Sequence, residues 1–383
     1  MFLALRDLRF ATGRFALMGS VVALISLLLV MLSGLTAGLG GQNTAAIDRL
    51  GEQGVQRLVF GGAAGQEPTA SFTQSEFTVA QRDAWAATDG VASVEPLGVS
   101  QGRAIGLEHP VDTDPQGRAD VSGEPTTGVA TTAFIGLTPG GSDAPAGVEP
   151  GQIVLSQDVA DSLHAQEGDA VAVSGFVYTV ADVVPTEYYS HSPVTWLALE
   201  DWNAISHTAD DAVLGTAGLV RFDAGADVDA VAAAGDDAAG TVAETVKGSY
   251  AALPSYRSEN GSLMTMQGFL YGISALVVIA FLSIWTVQRT RDIAVLKALG
   301  GSNGWVLKDS LAQAAFVLVG GVAVGTGLAA VIGAFAGRAV PFELSWATTA
   351  VPAAGVLVLG MLAAVVAVYR VTRIDPLVAL GGN

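Results

Sequence analysis

Cysteine is absent from the 383 residues, so no disulfide staples the fold and no thiolate can hold a metal. Histidine is scarce: His109, His164, His191 and His207 are scattered, with no i, i+4 pair of the kind that binds zinc. Basic residues number 18 against 36 acidic ones, a formal net charge of −18. Nucleic-acid phosphates would repel such a chain, so nucleic acid is excluded as a partner. There is no G-x-x-x-x-G-K-[ST] phosphate loop and no H-E-x-x-H zinc motif. The apolar stretches carry no carboxylate–histidine chain of the kind a proton-driven pump uses. Uphill work by this chain would need energy from another subunit, which makes it a non-catalytic component rather than an enzyme.

What is present is apolar. Hydrophobic residues make up 51% of the chain and the mean hydropathy is +0.48, which conflicts with so large a charge until the chain is divided. Residues 42–258 hold 30 acidic and 8 basic side chains, a net of −22, and the remainder nets +4. An acidic soluble domain is thus inserted into a mildly basic membrane scaffold. A spanning helix needs about 20 apolar residues, and four stretches qualify: 15–40, 263–288, 310–336 and 346–369. The remaining segments are an amphipathic helix at 1–14, the inserted domain at 41–262, loops at 289–309 and 337–345, and a tail at 370–383.

Arg6, Arg9 and Arg14 precede the first span; Arg289, Arg291, Lys297 and Lys308 lie between the second and third; Arg370 and Arg373 follow the fourth. Basic flanks mark the cytoplasmic side, so both termini are expected inside and the domain outside a bacterial plasma membrane. The first stretch is longer than a signal-peptide core and runs into GLGGQNTAAIDRL without a clean cleavage site, so it is expected to remain as an anchor. In the domain, QIVLS, AVAVSG, FVYTVADVV, VTWLAL and GLVRF read as strands. Residues 42–70 read as a helix followed by a Gly-rich loop, residues 78–87 and DVADSLHAQEGD as short helices, 227–250 as an Ala-rich helix, and 102–147 as long loops. The fold class is therefore a membrane protein with four transmembrane α-helices and a large extracytoplasmic α+β domain between spans one and two.

The loop after the second span reads QRTRDIAVLKALGGSNGWVLKDSLAQA and the C-terminus YRVTRIDPLVALGG. With the N-terminal LRDLRFATGR, they resemble the FtsX/MacB superfamily of ABC-transporter permeases, in all four spans, their order and the large insertion. The resemblance implies a MacB-like fold and a homodimer working with two copies of a cytoplasmic ABC ATPase, which binds the ATP. ATP-driven closure would be relayed through the membrane to the outer domain rather than opening a central channel. Ile293, Leu296, Leu299 and Gly300, with Arg291, Asp292 and Lys297, form the candidate ATPase-coupling element. By physics alone the same pattern serves equally as an amphipathic helix lying on membrane lipid.

Three further stretches, SGLTAGLGGQNTAAIDRL, EYYSHSPVTWLAL and YRSENGSLMTMQGFLYGISALVV, are similar to haem-exporter permeases of the HrtB type, which implies haem as cargo. His, Met and Tyr can ligate haem iron, and Met31, Tyr189, His191, Tyr256, Met264 and Met266 are the candidates near the outer boundary, with Arg257 and Arg338 as partners for the propionates. No metal site is expected beyond haem iron. Each candidate has a plain alternative: spanning methionines pack, boundary tyrosines anchor, and residues 188–191 suit a strand-end turn. Export of peptides, antibiotics or lipoproteins, or transmission of a signal to a cell-wall hydrolase, remain the other readings.

Overall fold

The computed structural model describes residues 12–63, 66–206, 212–288 and 303–372. The chain forms two compact units: one divided between residues 1–39 and 260–383, whose described residues form a helical bundle, and an inserted domain, Gly40–Glu259. Helix α1 (Thr12–Glu52) supplies residues to both. Its 41 residues contain no proline. At 1.5 Å per residue it is about 60 Å long, roughly twice the hydrocarbon thickness.

The domain begins with β1 (Arg57–Phe60), β2 (Phe77–Thr78) and α2 (Val79–Ala86). Thr78 and Gln81 close a capping box at the start of α2, each side chain bonding the other's backbone N–H at 3.3 and 3.0 Å. Next come β3 (Val91–Leu107), β4 (Thr126–Leu137), β5 (Gln152–Ser156), α3 (Gln157–Leu163), β6 (Ala170–Val173) and β7 (Phe176–Val184). The hairpin β8 (Tyr188–Tyr189) and β9 (Ser192–Ala198) leads to α4 (Leu199–Ser206), β10 (Val213–Gly215) and β11 (Ala217–Phe222). The domain ends with α5 (Val228–Ala239), β12 (Val242–Thr245) and a 3₁₀ turn at Gly248–Ala252.

The main sheet runs β12-β1-β11-β3-β4-β9-β5-β7-β6, with β8 on β9, and β6 returns to pair with β3. Strand β3 makes this closure because its 17 residues are long enough to pair with β6 as well as with β11 and β4. Its first half, Val91–Leu97, pairs with β11, and Ala104–Gly106 pair with β6. Six strands thus close into a ring and three extend from it as an open flank. Pairs β4–β9 and β5–β7 are parallel; the other pairings are antiparallel. The α+β class holds, but four local expectations change. Of the 46 residues 102–147, 18 are strand, the last 6 of β3 (to Leu107) and the 12 of β4, where Ala130 and Thr132–Leu137 are buried. The 42–70 helix stops at Glu52 and β1 follows it. Helix α3 ends at His164, which caps it in the left-handed region at φ 51°, and not at Gly168. The Ala-rich helix ends at Gly240, φ 61°, and the chain returns as β12.

The bundle consists of the first part of α1 with α6 (Pro254–Gln288), α7 (Asn303–Ala336) and α8 (Trp346–Thr372). These four helices are each long and apolar enough to cross a membrane. Phe15, Met18, Val22, Ile25 and Leu29 recur at helical spacing on α1 and pack against Val278 and Leu282 of α6, Leu318 of α7 and Val356 and Ala364 of α8. Helix α7 approaches α1 so closely that a Cβ on Gly325 would collide with the Ala23 carbonyl. Small residues permit this where lipid offers no hydrophobic drive to association.

Candidate functional site

Two residues of the β8–β9 hairpin organise a polar cluster that joins α1 and the start of α6. Tyr189 pairs with Ser192, leaving Ser190 and His191 as a two-residue loop. Both have positive φ, 48° and 64°, the combination a type I′ turn requires. Neither is glycine, and the left-handed region costs an ordinary residue about 1–2 kcal/mol. The turn is held from outside. Its amides donate to α1 carbonyls, Ser190 N to Asn43 O at 3.1 Å and His191 N to Gln42 O at 2.9 Å.

The side chains extend the same set. His191 Nε2 lies 2.9 Å from both carboxylate oxygens of Glu259 and 3.1 Å from Asn43 Nδ2, while Nδ1 is 3.4 Å from Gln42 Oε1. Asn43, only 1% exposed, donates to Glu259 at 3.2 Å and accepts from Ser255 Oγ at 2.7 Å. The Ser190 and Ser255 hydroxyls are 2.8 Å apart. Residues from α1, the hairpin and the start of α6 therefore share one network. Its Gln42, Asn43, Ser255 and Glu259 carry no local motif. The one hint in the sequence is that Glu259 is the last acidic residue before the second span.

The candidate haem ligands divide between the two units, Tyr189, His191 and Tyr256 in the domain and Met31, Met264 and Met266 in the bundle. Tyr189 is 3% exposed and stacks edge-on against Phe72, itself edge-on against Phe60, within the domain core. Burial pushes its phenol pKa up and keeps it neutral; it is a core residue rather than an accessible ligand. His191 is engaged with Glu259. Tyr256 packs edge-on against Tyr250 at 5.5 Å, whose hydroxyl donates to Asp48. In the bundle, Met31 is half-buried on α1. Met264 and Met266 are 58% and 50% exposed on α6, and at i, i+2 they point to different sides of the helix. As a pair they cannot serve one ligand from one face. Of the cationic partners, Arg257 is exposed and Arg338 lies 5.5 Å over the Phe335 ring.

The coupling residues Arg291, Asp292, Ile293, Leu296, Lys297, Leu299 and Gly300 lie outside the described residues. The helices flanking them are tied to each other. Trp285 Nε1 of α6 donates to Gln313 Oε1 of α7 at 3.3 Å, and Gln313 Nε2 donates to Asp309 at 2.9 Å. Phe15 of α1 packs edge-on against Trp285 at 4.8 Å.

Elsewhere in the domain, a recess of about 530 Å³ is lined by Asp48, Arg49, Glu52 and Glu187, among others. Arg49 sits 3.7 Å from Glu187 and 5.4 Å over the Trp196 ring. Burial raises the Glu187 pKa, opposed by the Arg49 charge and reinforced by Glu52. A second groove, about 800 Å³, is lined by Asp161, His164 and Glu167 with their neighbours. A G-x-S-x-G string at 98–102 sits in the middle of β3, where Ser100 Oγ accepts from Trp202 Nε1 at 3.0 Å. It is strand structure, not a strand-to-helix nucleophile elbow. Among the described residues no three His, Asp or Glu side chains come together as a metal site.

Residues 264–376 match the FtsX-like permease C-terminal family, a span that takes in most of α6, residues 289–302, α7 and α8. A hemin transport system permease protein, HrtB, of Staphylococcus epidermidis is 21% identical over 385 aligned positions, covering both chains in full. That of Staphylococcus haemolyticus is 29% identical over 130 residues, 34% of this chain and 37% of the relative. An uncharacterized ABC transporter permease of Mycobacterium tuberculosis, Rv2563, is 34% identical over 113 residues, 30% of this chain and 32% of its own. The solved extracellular domain of the Gram-positive transporter YknZ aligns with 48% of this chain and 95% of its own, at 14% identity and a TM-score of 0.31.

Proposed function

We propose that this chain, an ABC-transporter permease of the FtsX/MacB type, extrudes haem or a similarly flat, apolar anion from the membrane. The energy would come from a separate cytoplasmic ATPase. The observation that carries the reading is the end-to-end alignment with relatives named as hemin transport permeases. The sequence contains no phosphate loop of its own, which fits an ATPase on another chain. The working unit in this reading is a homodimer of the permease with two ATPase copies. Both termini and the 289–309 segment face the cytoplasm, and the inserted domain faces outward, as the basic flanks favour.

Closure of the ATPases would press on the coupling segment, residues 289–309. The Trp285–Gln313 bond then lets α6 and α7 respond together rather than separately. Haem partitions into the outer leaflet, and of the three methionine candidates in the bundle we favour Met31, the half-buried one, as ligand. One observation favours a second reading, a transmitter of motion to an external partner: Tyr189 is buried in the domain core and His191 is already engaged by Glu259.

The test is to purify the permease with its ATPase, add hemin and record the Soret band. The expected result is a bound spectrum that Met31→Ala alters. A free-hemin spectrum in the intact complex removes the haem assignment and leaves the permease assignment standing.

A further inference from the structure

The geometry points to a clamp: the Ser190–His191 turn fastens α1 to α6 within the inserted domain and sets the spacing of these two helices. The domain is an insertion, so its only covalent links to the rest of the chain run through α1 and α6. Any movement passed along the backbone between domain and bundle travels by one of them. The turn grips both. On α1 it takes the carbonyls of Gln42 and Asn43, and on α6 it takes Ser255 and Glu259 through side chains. It is also joined to the sheet, because Gln101 on β3 donates to Ser190 O at 3.3 Å and to Ser192 Oγ at 3.0 Å.

Two features distinguish a clamp from ordinary core. The first is strain: two successive non-glycine residues with positive φ persist only where surrounding contacts over-determine them. Those contacts come from α1, α6 and β3 together. The second is that the fastening can release. The His191 and Glu259 side chains are 31% and 38% exposed, so water can replace their bond at modest cost. Asn43 beneath them is 1% exposed and bonded to both Ser255 and Glu259. The arrangement is a water-accessible latch over a buried pin. His191 and Glu259 are thus positioning residues for the two helices, and this role holds whatever the cargo is.

The chain contains no cysteine, so introduced thiols can be labelled without background. Gly41→Cys has no heavy atom within 4 Å of its new Cβ, and Arg257→Cys replaces an exposed residue on α6. With nitroxides at both positions of the full-length chain, electron–electron dipolar spectroscopy reads the α1–α6 spacing directly. The otherwise unaltered chain is expected to give a single narrow distance. His191→Gly, which relieves the backbone and removes the imidazole, should add a longer, broader component. Glu259→Ala should do the same, and the double variant should go no further. Ser190→Gly, which keeps the imidazole and loses only the hydroxyl that meets Ser255, should broaden the distance less than His191→Gly does. Unchanged distances in His191→Gly and Glu259→Ala overturn the clamp, and so does additive broadening in the double variant. Loss of folded tryptophan fluorescence in both single variants also overturns it, since the cluster would then be part of the fold's core. None of these outcomes depends on hemin binding, so a failure here is separate from a failure of the haem assignment.

Discussion

The Phe342 ring fills a slot walled by Gly34 of α1: a Cβ on Gly34 would overlap the ring, as would one on Gly333 of α7. The adjoining Glu343 amide donates to the Gly34 carbonyl at 3.0 Å. The short loop between α7 and α8 is thereby seated against α1 by the absence of two side chains.

Gly34→Leu should therefore destabilise the bundle by about 1–3 kcal/mol through overpacking. Phe342→Ala in the same chain should recover part of that loss by emptying the slot. The check is the thermal midpoint in detergent. A double variant less stable than Gly34→Leu alone would contradict the slot.

Trp85 is fully buried, and its Nε1 donates to Thr241 Oγ1 at 2.9 Å, whose hydroxyl in turn donates to Asp236 at 2.8 Å. Thr241→Val keeps the shape and removes the acceptor. An unpaired buried donor costs about 1–3 kcal/mol. A lower thermal midpoint is expected, and an unchanged one would show that Trp85 finds another acceptor.

Burial is the leading cause of raised pKa values at Glu187, Asp201 and Asp236. Each stays protonated in the fold at pH values where the unfolded chain has already released its proton. Stability from these groups is greatest below the ordinary carboxylate range, about pH 4, and falls as pH rises through the raised folded values. Glu187→Gln cannot ionise, so it should raise the midpoint relative to the parent near neutral pH. The difference should close at acid pH. A variant gain that grows toward acid pH would reverse the sign and refute the assignment.

Deleting Thr290–Gly301 should abolish co-purification of the ATPase while leaving the permease in the membrane fraction. Ile293→Asp with Leu296→Asp should weaken the association in the same direction by placing charge on the apolar stripe. A complex that survives the deletion intact would move the docking surface elsewhere.

The bundle was largely legible before the structure because hydrocarbon imposes a simple rule on sequence. Each spanning segment must satisfy its own backbone and show apolar side chains outward, so a run such as FALMGSVVALISLLLVMLSGL announces itself. The domain followed a weaker rule. QIVLS and AVAVSG alternate or run apolar and were readable as strands. TTGVATTAFIGL was not, because its threonines and glycines look like loop until β3 and β9 enclose them; Thr132, for instance, is fully buried against Thr195 at 2.8 Å. The Ala-rich 227–250 stretch hid a reversal that depends on a left-handed backbone at Gly240.

The candidate site divides along the same line. Its residue types were visible, but their company was not. Tyr189 and His191 are two apart in sequence, yet one is sealed among Phe72 and Phe60 while the other meets Glu259, which is 68 positions away. Composition and order alone determined that this chain is a four-span membrane protein with an acidic insertion and no phosphate loop, because those properties are local and additive. Tertiary structure decided that β3 closes a ring with β6, that Phe342 has a slot to fill, and that a strained turn joins α1 to α6. Each of these is a meeting of segments distant in sequence, and such contacts leave no mark on the residues until the chain has folded.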